Sequence, residues 1–304
     1  MPTNSSATSV ASEIDAIIAR AMAEYSAAKG IDVFAESPAD NVTAEESVIR
    51  EEPEPVNPEI PVNSQSVLVS ETTSRFSGAA WFNNVQSKTV TLAGLGGIGS
   101  YVAFLLSRLN VNNMILYDDD VVEAGNLSGQ LYSLDDIGSN KVTRIGNMMG
   151  NYSNYFRYHC FSERFTAEST PTAIMMCGFD NMEARRVYYN KWKNLVMSTP
   201  IDGRGDCLFI DGRLAAESFQ VLCIRGDDNY SMTRYEVDYL FSDEEAEQTI
   251  CSYKQTTFMA NMIASIMVNL FVNFCANQCD PLVPRDLPFF TEYTAETMFF
   301  KVVN

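Results

Sequence analysis

The sequence predicts an α/β fold: a doubly wound, Rossmann-like, mostly parallel sheet with helices on both faces and an antiparallel extension in the C-terminal half. Two observations predict it. Strand-like runs alternate strictly with helical patterns from Lys88 to Leu195, which is the signature of a parallel sheet. The first of these strands ends on a glycine-rich turn, Gly94 to Ser100, that opens directly into a helix.

The elements follow in order. "KTVTLA" reads as the first strand, "SYVAFLLSRL" as a helix and "NMILYD" as the second strand. "NKVTRIGNMM" is helical, "FRYHCF" and "AIMMC" are strands, and "NMEARRVYYNKWKNL" is a longer helix. "CLFID" and "RLAAESFQVLCI" suit an antiparallel pair, beside a buried helix over residues 256–275. Along that helix Asn261, Ser265, Asn269 and Asn273 form a polar stripe, which favours burial in protein over burial in lipid. Asp-Gly-Arg occurs twice, at 202–204 and 211–213. Asp-Gly is turn chemistry, so a hairpin is expected there, with Arg204 or Arg213 as an alternative anchor for a substrate carboxylate. The tyrosine-rich stretch before the third strand is expected to cover the sheet.

Residues 1–74 read as a separate acidic tail. Six of the eleven prolines precede residue 62, and "VIREEPEPVNPEIPVNSQ" has too little apolar surface to offset its ordering entropy. Before it, "ASEIDAIIARAMAEYSAAKG" suits a short amphipathic helix, either fraying or docking a partner. Residues 75–304 read as the single folded domain.

Composition excludes several classes. A net charge of -18 repels nucleic acid and anionic membrane. Seven cysteines without disulfide-style spacing, and no signal-peptide pattern, point to the cytoplasm. Only Cys275 and Cys279 lie close together, so no structural zinc is expected. His159, the single histidine, reads as a packed strand residue, and without a second one histidine-based hydrolysis lacks support.

Gly94, Gly96 and Gly99 form GxGxxG, and Gly97 lies within it. Such a turn lets phosphate approach backbone amides at a helix N-terminus. Asp118 ends the second strand, where a carboxylate can accept ribose hydroxyls. NAD and ATP fit equally to this point. The polar stretch that follows favours ATP: Asp120, Asn126, Gln130 and Lys141 come in close order. Lys141 opens a helix after a Ser139–Asn140 cap and can reach back over a triphosphate. Asp180 lies at the end of another parallel strand, placed to hold Mg²⁺.

Together these residues resemble the ThiF/MoeB/HesA family, the adenylating domain shared with ubiquitin-activating enzymes. The matching positions are Gly94 to Ser100, then Asp118, Asp120, Glu123, Asn126, Leu127 and Gln130, then Gly138 and Lys141, then Asp180, Asn181 and Arg185. The resemblance implies ATP-dependent adenylation of the C-terminal carboxylate of a small ubiquitin-like protein or peptide, releasing pyrophosphate. It implies that Asp118 holds the ribose, Lys141 stabilises charge at the α-phosphate, Asp180 carries Mg²⁺, and Asn126 and Gln130 orient the triphosphate. It implies a homodimer in which Arg75 reaches the partner's site.

One position departs from the family. Gly129 stands where an arginine is expected, and glycine supplies no phosphate fork. Arg75, Arg185 or Arg186 could substitute. The chain could instead be a silent interaction protein of the same fold, or a divergent bacterial or bacteriophage branch in which glycine is normal. Cys251 matches a region where relatives form a thioester, although buried, inert cysteine is the commoner state. An NAD-dependent oxidoreductase is the weaker alternative, since no acid–base pair for hydride transfer stands out.

Overall fold

A computed structural model describes residues 72–153, 157–242 and 255–304. The amphipathic stretch near the N-terminus, the proline-rich stretch and Cys251 lie outside the described residues. After a run of turns, α1 spans Phe82–Ser87 and β1 Thr89–Ala93. The order continues with α2 (Gly97–Arg108), β2 (Asn113–Tyr117), α3 (Lys141–Tyr152), β3 (Tyr158–Phe161), β4 (Ile174–Cys177) and α4 (Met182–Ser198). Then come β5 (Leu208–Ala215), β6 (Ser218–Arg225), α5 (Asn229–Arg234), α6 (Thr257–Asn277), β7 (Phe290–Thr294) and β8 (Phe299–Val303).

The eight strands form one sheet in the order β3-β2-β1-β4-β5-β6-β7-β8. The first five are parallel, and β6, β7 and β8 extend the sheet antiparallel. The predicted class is therefore the observed one. The strand order reverses between β1 and β4. In an open α/β sheet that point leaves a crevice at the carboxyl ends of the strands.

Alternation along the strands divides the core between the two faces. Ile174 and Met176 of β4 pack with α2, α3 and α6, whereas Met175 and Cys177 pack with Tyr188, Tyr189, Trp192 and Val196 of α4. That period of two is what a sheet covered on both sides requires. The 21-residue α6 is long and apolar enough to cross a membrane, yet one face of it is core, from Met259 through Phe274.

Two local expectations need correction, and the polar stripe of α6 finds its place. The second Asp-Gly-Arg is not a hairpin turn. It runs through β5 with Asp211 fully buried, and the hairpin turns at Ala216 (φ 53°). Paired charge explains this, because Asp211 binds two arginines and so pulls the strand inward. The polar stripe of α6 marks its outer side: Asn261, Ser265 and Asn269 are exposed, while the opposite side of the helix packs in the core. His159 is exposed rather than packed, because β3 is an edge strand.

Candidate nucleotide site

The crevice is built on the turn after β1. Gly94 has φ +79°, a left-handed conformation that glycine adopts without penalty. It lies against Gly178 and Phe179, which follow β4. A Cβ on Gly99 would overlap the carbonyl oxygen of Gly94, so the entry of α2 is packed backbone to backbone.

Asp118 locks this turn. Its Oδ2 accepts the Leu95 amide at 2.6 Å and its Oδ1 accepts the Asp120 amide at 2.9 Å. Burial pushes the Asp118 carboxyl above its usual range, and those two amides and the Lys141 charge pull against that rise. The Leu95 carbonyl is held as well, by the Tyr132 hydroxyl at 2.7 Å. Burial drives the Tyr132 phenol well up, so the hydroxyl stays a donor. Ser100 Oγ accepts the Leu131 amide at 3.0 Å. The segment from Ala124 to Tyr132 is thereby strapped to the glycine turn.

Lys141 opens α3, with Asn140 at the N-cap position but making no side-chain cap. Its amide bonds to the Asp120 carbonyl, and its Nζ lies 2.8 Å from Asp120 Oδ2. The lysine side chain is 7% exposed and the aspartate 62%, so the pair points a shielded cation at an open carboxylate. Asn126 Oδ1 accepts the Glu123 amide in a capping box, at 2.9 Å. Gln130 lies over Gly96, and its Oε1 is buried without a hydrogen-bond partner. An orphaned amide oxygen beside a glycine turn marks a place where a ligand group belongs.

Asp180 is exposed beyond β4, where Asn181 Nδ2 donates to its Oδ1 at 3.2 Å. Asn181 Oδ1 in turn caps α4 through the Ala184 amide at 2.8 Å. Asp118, Asp119 and Asp120 can each offer one carboxylate oxygen within 4.8 Å of the others. Arg164, beyond β3, pairs with Asp119 at 2.8 Å and feels Asp120 and Asp180 as well. The acidic residues of the two strand ends thus share one rim.

Of the arginines considered as substitutes (Arg75, Arg185, Arg186) or as carboxylate anchors (Arg204, Arg213), all but Arg75 are engaged within the protein. Arg185 is buried on Asp211, Nε to Oδ1 at 3.0 Å, and its Nη2 donates to the Phe179 carbonyl. Arg213 holds Asp211 from the other side at 2.8 Å, and Tyr235 donates to the same carboxylate at 3.0 Å. Arg186 bonds to the carbonyls of Leu240 and Phe241, and Arg204 to those of Thr199 and Met197. Arg75 is exposed in the turns before α1. The structure therefore gathers the glycine turn, Asp118, Asp120, Gln130 and Lys141, while Arg185 and Arg213 do structural work under the rim. Sequence reading missed Arg164 and the strap contacts of Tyr132. Position after a parallel strand was the available signal for Arg164; Tyr132 carried none.

A glycine turn at the switch point of a mostly parallel sheet, locked to the acid that follows the next strand and flanked by a shielded lysine, defines a doubly wound α/β protein with a candidate site at that point. This chain belongs to the ThiF family, whose model matches residues 70–304. It is similar to ubiquitin-like modifier-activating enzyme 5 of Drosophila willistoni, 27% identical over an alignment of 123 residues that covers 34% of this chain and 30% of that protein. The Caenorhabditis elegans enzyme of the same name is 38% identical over 61 residues, covering 20% and 15%. The chain thus spans about a third or less of the curated relatives it matches. Among solved structures, PaaA matches with a TM-score of 0.57 at 14% identity, covering 79% of this chain and 72% of that one. Escherichia coli MccB with ATP matches at 0.55 and 16%, covering 74% and 65%. These structural likenesses speak for the fold.

Proposed function

We propose that this chain uses ATP to adenylate a carboxylate, the C-terminus of a ubiquitin-like protein or of a peptide, and releases pyrophosphate. The observation that carries the reading is the Asp118–Leu95 lock, which fixes the glycine turn beside the Lys141–Asp120 pair. Membership of the ThiF family supports it, as do the names of the relatives. Two anions must meet in this reaction, so the protein's task is positioning and charge neutralisation. Asp118 keeps acceptor capacity for ribose hydroxyls, and the Gly96–Gly97 turn offers its amides to phosphate. Lys141 stabilises charge at the α-phosphate once it swings from Asp120. Mg²⁺, held by Asp180, would neutralise the polyphosphate. The Cys251 thiolate would attack the acyl-adenylate, breaking the acyl–phosphate bond, so that the carboxyl passes to sulfur as a thioester and AMP leaves. A homodimer in the cytoplasm, with Arg75 reaching across to the partner's site, completes the proposal.

ATP–pyrophosphate exchange with candidate carboxylate substrates tests it. Lys141→Ala should lower exchange about 100-fold, the usual loss on removing one charge-stabilising donor. Unchanged exchange removes Lys141 from the mechanism. A second reading is favoured by one observation: Gly129 is buried under Gln255 and offers no cation. On that reading the chain is a silent interaction protein, and exchange is absent with every substrate although ATP binds.

A further inference from the structure

The glycine turn carries a side chain that the sequence did not announce. Gln255, just before α6, lies over Gly97 and Gly129 together. A Cβ on Gly97 would overlap Gln255 Oε1 and stand 2.6 Å from its Cδ. A Cβ on Gly129 would stand 2.8 Å from Gln255 Cγ and 3.4 Å from its Nε2. Only two residues without side chains leave this room, and they come from different elements: the first residue of α2 and the residue that ends the tight turn Ala124–Ser128 within the strap.

Gln255 is also held in place from both sides. Its backbone bridges to Ala216 beyond β5, and Thr257 Oγ1 donates to the Ser128 carbonyl at 2.5 Å. The carboxamide is therefore delivered to the helix N-terminus by a tied segment. Gln130 reaches the same turn from the other side, its Nε2 3.7 Å from a Cβ position on Gly96, with an orphaned Oε1. Two carboxamides thus flank the Gly96–Gly97 peptide. Each carries an NH₂ group with two donors. Neutral donors of this kind suit the distal phosphates of a nucleotide, where an N–H to a charged oxygen is worth more than one to a neutral oxygen.

We infer that Gln255 is a polyphosphate-binding residue, which contacts the β- and γ-phosphates at Gly97 and occupies the space that Gly129 leaves. The inference rests on the nucleotide reading above. Gln255 distinguishes ATP from AMP, because it lies over the glycine turn and not beside Asp118, where the ribose is expected.

The test is calorimetric binding of Mg²⁺–ATP and of AMP to the wild-type chain, Gln255→Ala and Gln255→Glu. Gln255→Ala should weaken ATP about tenfold, the worth of one hydrogen bond to a charged group, and leave AMP within about twofold. Gln255→Glu keeps the shape but turns donors into a charge of the wrong sign, so it should weaken ATP further. A merely structural role would lower both nucleotides alike. The double variant Gly129→Arg/Gln255→Ala should regain ATP affinity, since trimming Gln255 frees room for a cation at 129. Equal or tighter ATP binding by Gln255→Ala overturns this inference alone. A wild-type chain that binds neither nucleotide overturns the nucleotide reading with it.

Discussion

Asp118, just beyond β2, accepts the amide of Leu95, the residue after Gly94, at 2.6 Å. The second strand's acid therefore shapes the first strand's turn before any ligand is considered. Asp118→Asn keeps the volume but has a single acceptor oxygen, so Leu95 or Asp120 loses its partner. Leaving a buried amide unsatisfied should cost about 1–3 kcal/mol in urea unfolding. Nucleotide binding should fall as well. An unchanged unfolding midpoint would show that the turn holds itself.

Asp211 predicts the acid limit of the fold. Burial alone would raise its pKa, but Arg185 and Arg213 outweigh burial and hold it below the usual value. A depressed native pKa gives stability that is complete above the unfolded value of about 4 and disappears as pH falls through the native one. Unfolding free energy should therefore drop below about pH 4, and the drop should shrink in Asp211→Asn. If that variant does not fold, Tyr235→Phe removes one bond to the carboxylate and should cost about 1.5–3 kcal/mol. Equal acid profiles for wild type and Asp211→Asn would dismiss the carboxylate as their source.

Two glycine substitutions separate packing from chain flexibility. Gly99→Ala forces a methyl onto the Gly94 carbonyl, which should cost about 1–3 kcal/mol and abolish nucleotide binding. Gly125→Ala meets nothing within 4 Å and should stay within about 0.5 kcal/mol of wild type. Circular-dichroism melts and ATP titration of both variants give the comparison. Similar behaviour of the two would mean that the entry of α2 is looser than its geometry implies.

The thiols should divide by burial. Cys223 and Cys275 are pushed up to about 12 by burial, and Cys177 well above its ordinary value by burial and by Asp211. Cys279 is exposed. Iodoacetamide at pH 8 should label Cys279 and spare those three until denaturant is added, as read by peptide mass mapping. Early labelling of Cys177 would contradict the closed face between β4 and α4. Loss of Cys251 labelling on adding ATP and substrate would support the thioester proposal.

The alternation of strand and helix made the parallel half of the sheet legible, because each segment carries its own periodicity. What stayed hidden depends on distant partners. Asp211-Gly212 looks like a turn locally, yet Asp211 answers to Arg185, 26 positions away in sequence, and a buried ion pair overrules a turn preference. His159 looked packed because its neighbours are apolar, and strand order alone decides that β3 is an edge. The placement of Asp118 and Lys141 near the glycine turn was legible from their spacing. Gln255 was not, since nothing near it in sequence points to the glycines it covers.

Leu95 is gripped at both ends of its peptide, the nitrogen by Asp118 and the oxygen by Tyr132. A turn held in this way has little freedom left to surrender on association. Under the proposed function that restraint is paid in folding rather than in binding, so the turn acts as a preformed mould and discrimination between ligands falls to the side chains around it.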